Sequence, residues 1–186
     1  MESFINSLTQ GAVPPKQEVK AYLDCVYLNY FELGLSFLFV TKDGSRIAPQ
    51  GDVLNNSMLI LDSVDVFNPD PNMNKVTSQE RSYSAYPALP ITISLREVKP
   101  GETSRPSELI LDNSSTGKDI VATLGEPDRK GGGAGPSHGS IGIWCEWSKD
   151  GIMIEFGGPG SKGPDAWDKG KDALWRILTV FRPKSG

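Results

Sequence analysis

The stretch Ile141–Phe156 (IGIWCEWSKDGIMIEF) constrains the fold more than any other, because an earlier stretch, Tyr27–Phe39 (YLNYFELGLSFLF), repeats its spacing. Ile141, Ile143, Cys145 and Trp147 alternate with Gly142, Trp144 and Glu146, and apolar residues at every second position mark a strand with one buried face. Asp150-Gly151 supplies a turn, and Ile152, Ile154 and Phe156 carry the apolar face back. A two-residue turn would set Glu146 opposite Glu155, a like-charge pair that sheets disfavour. A four-residue turn over Ser148–Gly151 sets Glu146 against Met153 instead, and is the expectation. The other reading of two facing carboxylates is a pair that shares a proton or a cation, as in acid–base sites.

Trp144, Trp147, Gly151 and Phe156 follow Tyr27, Tyr30, Gly34 and Phe39 by the same 117 residues. A short apolar segment ending in a turn precedes each hairpin, Phe4–Leu8 and Ile120–Leu124, and a strand closing on phenylalanine follows each, Leu61–Phe67 and Leu174–Phe181. The pattern predicts an α+β fold made of two copies of a short helix packed on an antiparallel sheet, each in the order helix, β-hairpin, strand. The copies span residues 1–99 and 100–186 of one compact unit, as separate sheets or as one continuous sheet. Val19–Tyr30 reads as a long alternating or apolar run in a strand-rich region, with Leu33-Gly34 as its turn and Leu35–Val40 as the return. Residues 69–90, Arg129–Ser140 and Gly157–Lys171 read as loops, the last two rich in glycine.

A net charge of −4, with a similar charge balance in the two halves, lacks the footprint of a nucleic-acid binder, so no nucleic-acid partner is expected. Cys25 and Cys145 fall inside predicted strands and have no second cysteine at metal-ligand spacing. Free thiols are the expectation, with a disulfide between the copies as the other reading. The start MESFINSLTQG lacks the basic and apolar regions of a secretion signal, and no apolar run approaches the roughly 20 residues that span a bilayer. A cytoplasmic or nuclear protein is therefore expected.

A Ser-His-Asp or Cys-His arrangement would have to use His138, the only histidine, in a glycine-rich stretch. No catalytic residue, metal or cofactor is assigned, and the chain does not read as an enzyme. Backbone amides of Gly157–Lys171 could cradle a phosphate, with Lys162, Lys169 and Lys171 adding charge, although the G-x-x-x-x-G-K-S/T phosphate loop is absent. The plain alternative is a loop covering a sheet edge. Tyr83, Tyr86, Trp144 and Trp167 are candidate anchors for a protein partner, since aromatic side chains concentrate binding energy. Core or loop cover is the plain alternative for each.

The run Tyr27-Leu28-Asn29-Tyr30-Phe31-Glu32-Leu33-Gly34, with Phe37-Leu38-Phe39 and later Val64–Asn68, resembles the Y-x-N-Y-F-x-L-G-x-x-x-L-F stretch of the phagosome assembly factor family. Ile120–Asp128, containing Leu124-Gly125-Glu126-Pro127, and the tryptophan-bearing hairpin resemble that family too. They are also similar to the helix, L-G-x-P, aromatic-hairpin pattern of modules like the β-lactamase inhibitor protein and the outer-membrane assembly lipoproteins. The resemblance implies a helix-on-sheet module that binds another protein, with partner-dependent attachment to phosphoinositide membranes. The leading expectation is a non-catalytic protein-binding or adaptor module. One alternative is a small-ligand binder or enzyme with a cleft between the repeats, using Glu146, Glu155 or the lysine-bearing loop. The other is peripheral attachment to phosphoinositide membranes through Lys162, Lys169, Lys171, Arg129 and Lys130.

Overall fold

Both expected turns form hairpins, and each hairpin grows into a four-stranded antiparallel meander. The computed structural model describes residues 2–9, 15–48, 53–69, 82–133 and 142–184, so His138 lies outside the described residues. The chain divides into two units, Met1–Phe67 with Lys75–Pro87, and Asn68–Asn74 with Ala88–Gly186. Both are sheet-rich and antiparallel, with short helices: a sheet-dominated α+β protein.

The first unit contains α1 (Glu2–Leu8) and strands β1 (Glu18–Ala21), β2 (Cys25–Tyr30), β3 (Leu35–Thr41) and β4 (Leu59–Phe67), neighbours in that order. Its strand β1 was hidden in the sequence, where Val19–Tyr30 reads as unbroken. The chain reverses at Tyr22-Leu23-Asp24, and the Tyr22 N–H donates to the Cys25 carbonyl at 2.8 Å. Two apolar residues inside the turn disguise it. Period-two alternation then sorts the side chains. Val26, Leu28, Tyr30, Leu35 and Phe37 are buried on one face, and Asn29 and Ser36 are buried on the other. Helix α1 adds Ile5 to the core.

The second unit contains the pair β5 (Ile91–Ser94) and β6 (Glu108–Leu111), helix α2 (Gly117–Leu124), strands β7 (Arg129–Gly131), β8 (Trp144–Trp147) and β9 (Ile152–Phe156), helix α3 (Ala166–Lys169) and β10 (Trp175–Phe181). Strands β7 to β10 neighbour one another in chain order. The stretch expected to be a loop from Arg129 thus begins with a strand, short because Gly132 and Gly133 follow with positive φ. Helix α3 likewise interrupts the second expected loop. The first turn of α2 is closed by Asp119, whose carboxylate accepts from the Thr116 backbone N–H (3.0 Å) and from its hydroxyl, a capping-box arrangement. Ile120 and Leu124 point inward, and the Trp147 indole N–H donates to the Gly125 carbonyl just beyond the helix (2.9 Å).

The two hairpins share their geometry. Tyr30 pairs with Leu35 and Asn29 with Ser36; Trp147 pairs with Ile152 and Glu146 with Met153. Both turns have four residues, Phe31–Gly34 and Ser148–Gly151, and Glu146 does not face Glu155. Gly34 (φ 59°) and Gly151 (φ 70°) end the turns in the left-handed region. In each unit the third hairpin strand is bulged at the corresponding place. Asp62 is the extra residue between the partners of Leu38 and Phe39, and Arg176 the extra residue between those of Glu155 and Phe156.

Candidate functional site

In the second unit, β7 lays one cation against each exposed or half-buried tryptophan. The Arg129 guanidinium lies 5.9 Å from the Trp144 ring centroid, and the Lys130 ammonium 5.4 Å from that of Trp167, within cation–π range. Trp144 is half-buried beneath Gly131, where any Cβ would stand 2.6 Å from the ring. Trp167, on α3, is 43% exposed. Lys162, Lys169 and Lys171 are all exposed on the same segment. Lys169 spends its charge on Asp165, at 2.9 Å. The segment is stitched down rather than draped: Ser161 is fully buried, its hydroxyl donates to the Gly158 carbonyl, and its own carbonyl accepts from the Ile143 N–H.

Charge is buried behind this surface. Glu146 is only 6% exposed and accepts from the Ser148 hydroxyl (2.6 Å), Lys184 (2.9 Å) and Arg129 (3.2 Å). Burial pulls its carboxyl upward, but the Ser148 hydroxyl, Lys184 and Arg129 together hold it below the usual carboxylate range. Asp150, in the turn, takes both arms of Arg105 at 2.6 and 2.8 Å and the Arg96 backbone N–H at 3.1 Å. Glu102 forms a second fork with Arg96 (2.7 and 3.2 Å), whose hydrogen bonds bring its carboxyl down to about 2. The three carboxylates are satisfied by these partners, which is structural chemistry, while the Nε atoms of Arg96 and Arg105 are buried without a hydrogen-bond partner among the described residues. Both cysteines are free; burial pushes the Cys145 thiol up to about 11, leaving it protonated at neutral pH.

Tyr83 and Tyr86 belong to the first unit, on a strap that crosses the hairpin turn. The Ser84 N–H donates to the Phe31 carbonyl (2.8 Å) and the Tyr86 N–H to that of Phe67 (2.9 Å). The Tyr83 ring stacks on Phe67 (centroids 3.7 Å apart) and leans on Phe31 (4.6 Å). Its hydroxyl donates to Asn29 Oδ1 at 2.7 Å, and burial raises its pKa. Tyr86 is half-buried, its pKa also raised by burial. An open depression of about 390 Å³ beside the strap is lined by Lys16, Phe31, Glu32, Ser82 and Ser84. Among the described residues, no three His, Cys, Asp or Glu side chains converge as a metal site would require.

The far end of the same meander carries exposed apolar residues, beside a segment whose buried Ile47 donates its N–H to the Leu23 carbonyl (2.8 Å). There β1 ends, β2 begins, β3 ends and β4 begins, because Ala21 pairs with Val26, Cys25 with Val40 and Val40 with Ile60. Tyr22 (52% exposed) meets Tyr27 edge-on at 6.0 Å, and Ile60 (45%) continues the row from Cys25 and Val40. Leu23, Met58 and Leu61 are also exposed, Leu61 on the face opposite Ile60, since it follows Ile60 directly in the strand. Single exposed apolar residues are ordinary, but several gathered at one end of a sheet make that end a candidate interaction surface.

The chain matches no family model, no curated protein and no solved structure.

The expected anchors therefore occupy separate places. Tyr83 and Tyr86 cover one end of the first meander, whereas Trp144, Trp167 and the three lysines lie in the second unit. Tyr22, Leu23, Ile60 and Leu61 were missed because strand residues of this type normally face inward; only the hidden turn at Tyr22–Asp24 could have signalled their exposure. No helix among the described residues is long and apolar enough to cross a membrane.

Proposed function

We propose that the chain is a non-catalytic protein-binding or adaptor module. The observation that carries the reading is the apolar end of the first meander, where Tyr22 and Leu23 in the β1–β2 turn and Met58, Ile60 and Leu61 around the start of β4 stand exposed. Transferring such surface out of water releases about 25 cal/mol per Å² of apolar area, and aromatic residues with aliphatic neighbours make effective contact centres. The chemistry elsewhere supports the same reading: Glu146, Asp150 and Glu102 are engaged in internal ion pairs. We also read the chain as a duplication of one helix, hairpin and strand unit. The equal turns, equal pairing and repeated bulge support that reading. A binding role is what the resemblance to the phagosome assembly factor family implies as well.

Affinity capture with the wild-type chain beside Tyr22→Ser/Ile60→Asp tests the proposal. A saturable protein retained by the wild type and lost by the variant, with both chains equally stable to urea, supports it. Equal retention by both chains moves the contact away from this end of the sheet, and absence of any saturable partner overturns the binding reading.

A further inference from the structure

We propose that the chain self-associates through β1, two copies adding edge to edge in antiparallel register about Val19. The inference uses the edge of the first meander and not its apolar end, so it stands apart from the function proposed above.

Strand β1 is the terminal strand of its meander, and among the described residues no strand pairs with its outer side. Which groups face outward follows from one hydrogen bond. The Tyr22 N–H donates to the Cys25 carbonyl, so Tyr22 directs its backbone toward β2. In an antiparallel ladder the direction alternates; Lys20 and Glu18 also face β2, while Ala21, Val19 and Gln17 present N–H and C=O groups away from it. The usable edge is bounded at both ends. Pro15, the next outward residue upstream, has no N–H, and the chain turns away at Tyr22–Asp24. What remains is Gln17–Ala21, five residues centred on Val19.

A two-fold axis at Val19 pairs these groups completely. Val19 exchanges two hydrogen bonds with the Val19 of the second copy, and Gln17 and Ala21 exchange two more pairs with their opposites, an isologous interface. The same register sets Glu18 directly opposite the second copy's Lys20, and Lys20 opposite its Glu18. Both fall at the close, non-hydrogen-bonded positions where opposite charges attract most. Within one copy Lys20 already approaches Glu18 at 3.5 Å, both side chains accessible to solvent, so pairing would extend that ion pair into an alternating four-charge row.

The corresponding edge of the second unit has the opposite character. Strand β7 carries Arg129 and Lys130 beside Gly131; two copies paired there would bring cations together, a common way in which sheet edges are kept from joining. Edge exposure alone would favour both strands equally. Charge order favours β1.

The test is sedimentation velocity over a concentration series reaching roughly the millimolar range, where small interfaces populate. Expected are a monomer–dimer equilibrium for the wild type and about tenfold weaker association for Lys20→Glu or Glu18→Lys, each of which opposes like charges. A mixture of those two variants should recover wild-type affinity as a heterodimer, since one supplies two acids and the other two bases. Val19→Pro removes outward-facing donors, is tolerated on a strand edge, and should abolish dimers; circular dichroism and urea melts establish that each variant is folded. A wild type that stays monomeric throughout, single variants that dimerise as tightly as the wild type, or a mixture no tighter than its components would each overturn the proposal.

Discussion

The two hairpin turns do the same backbone job with different chemistry. In the first unit the Phe31 carbonyl accepts from Ser84 N–H, and in the second the Ser148 carbonyl accepts from Lys184 N–H (2.8 and 2.9 Å). Phe31 and Ser148 are corresponding turn positions. The segment that supplies this hydrogen bond also supplies a side chain to the buried polar residue on the strand before the turn. Tyr83 donates to Asn29, and Lys184 donates to Glu146. At the third turn position Leu33 is buried as an apolar residue, whereas the Asp150 side chain, 3% exposed, is held in a fork with Arg105. One frame is thus closed by neutral aromatic packing and the other by ion pairs. The turn backbone imposes where a cover must sit but leaves its chemistry open.

The glycines are what the two turns share most strictly, and changing them should have the largest effect. A Cβ on Gly34 would stand 2.3 Å from the Ser84 carbonyl oxygen, and one on Gly151 2.2 Å from that of Phe181, both at positive φ. Gly34→Val and Gly151→Val should each cost about 3–5 kcal/mol in urea unfolding, since strain and a backbone collision combine. Either variant melting like the wild type would separate that turn from its counterpart. The next effect sharpens the contrast. Asp150→Leu copies the first turn but strands Arg105, at about 3 kcal/mol, because the guanidinium is only 12% exposed. Adding Arg105→Met should restore most of that loss, as replacing both partners of a buried pair often does. A double variant no more stable than Asp150→Leu would show that the fork positions Arg96 and β5 in a way packing cannot replace.

The hairpins were legible in the sequence because alternation, turn glycines and closing phenylalanines are local signals. The four-residue turn was legible because a tighter one would oppose Glu146 and Glu155. The covers were not. Tyr83 and Lys184 reach their partners from 54 and 38 residues away, and nothing local distinguishes them from ordinary loop residues. Strand β7 was obscured by the glycines beside it, and the Tyr22–Asp24 turn by its apolar residues, so the apolar end of the meander and the position of β1 at its edge could not be inferred. Candidate anchors were chosen for being aromatic and in loops; Tyr83 meets both conditions and is committed to Phe67, Phe31 and Asn29.

The smallest effects separate the two covers by pH. Tyr83→Phe keeps the ring stack and removes one donor from Asn29, which retains Ser36 (2.8 Å); the cost should be about 1 kcal/mol. The phenol is neutral throughout the acid range, and its pKa is raised further by burial, so that cost should be the same in acid and at neutrality. Glu146→Gln should cost about 1 kcal/mol at pH 7, because the partners it releases, Lys184 and Arg129, are 58% and 61% exposed and can turn to water. The folded-state pKa of Glu146 is lowered. Its charge therefore contributes stability that is fully present above the ordinary carboxylate value of about 4.3 and is lost as pH falls through the folded value. The gap between wild type and Glu146→Gln should narrow on acidification, while the gap for Tyr83→Phe stays constant. Glu102, Asp112 and Asp119 also titrate low and bend every acid curve equally, so the differences between variants and wild type are what urea titrations at successive pH values must compare. A Glu146→Gln gap that holds constant down to pH values below the folded pKa would mean that the hydrogen-bonding shape of the side chain, and not its charge, closes the second turn.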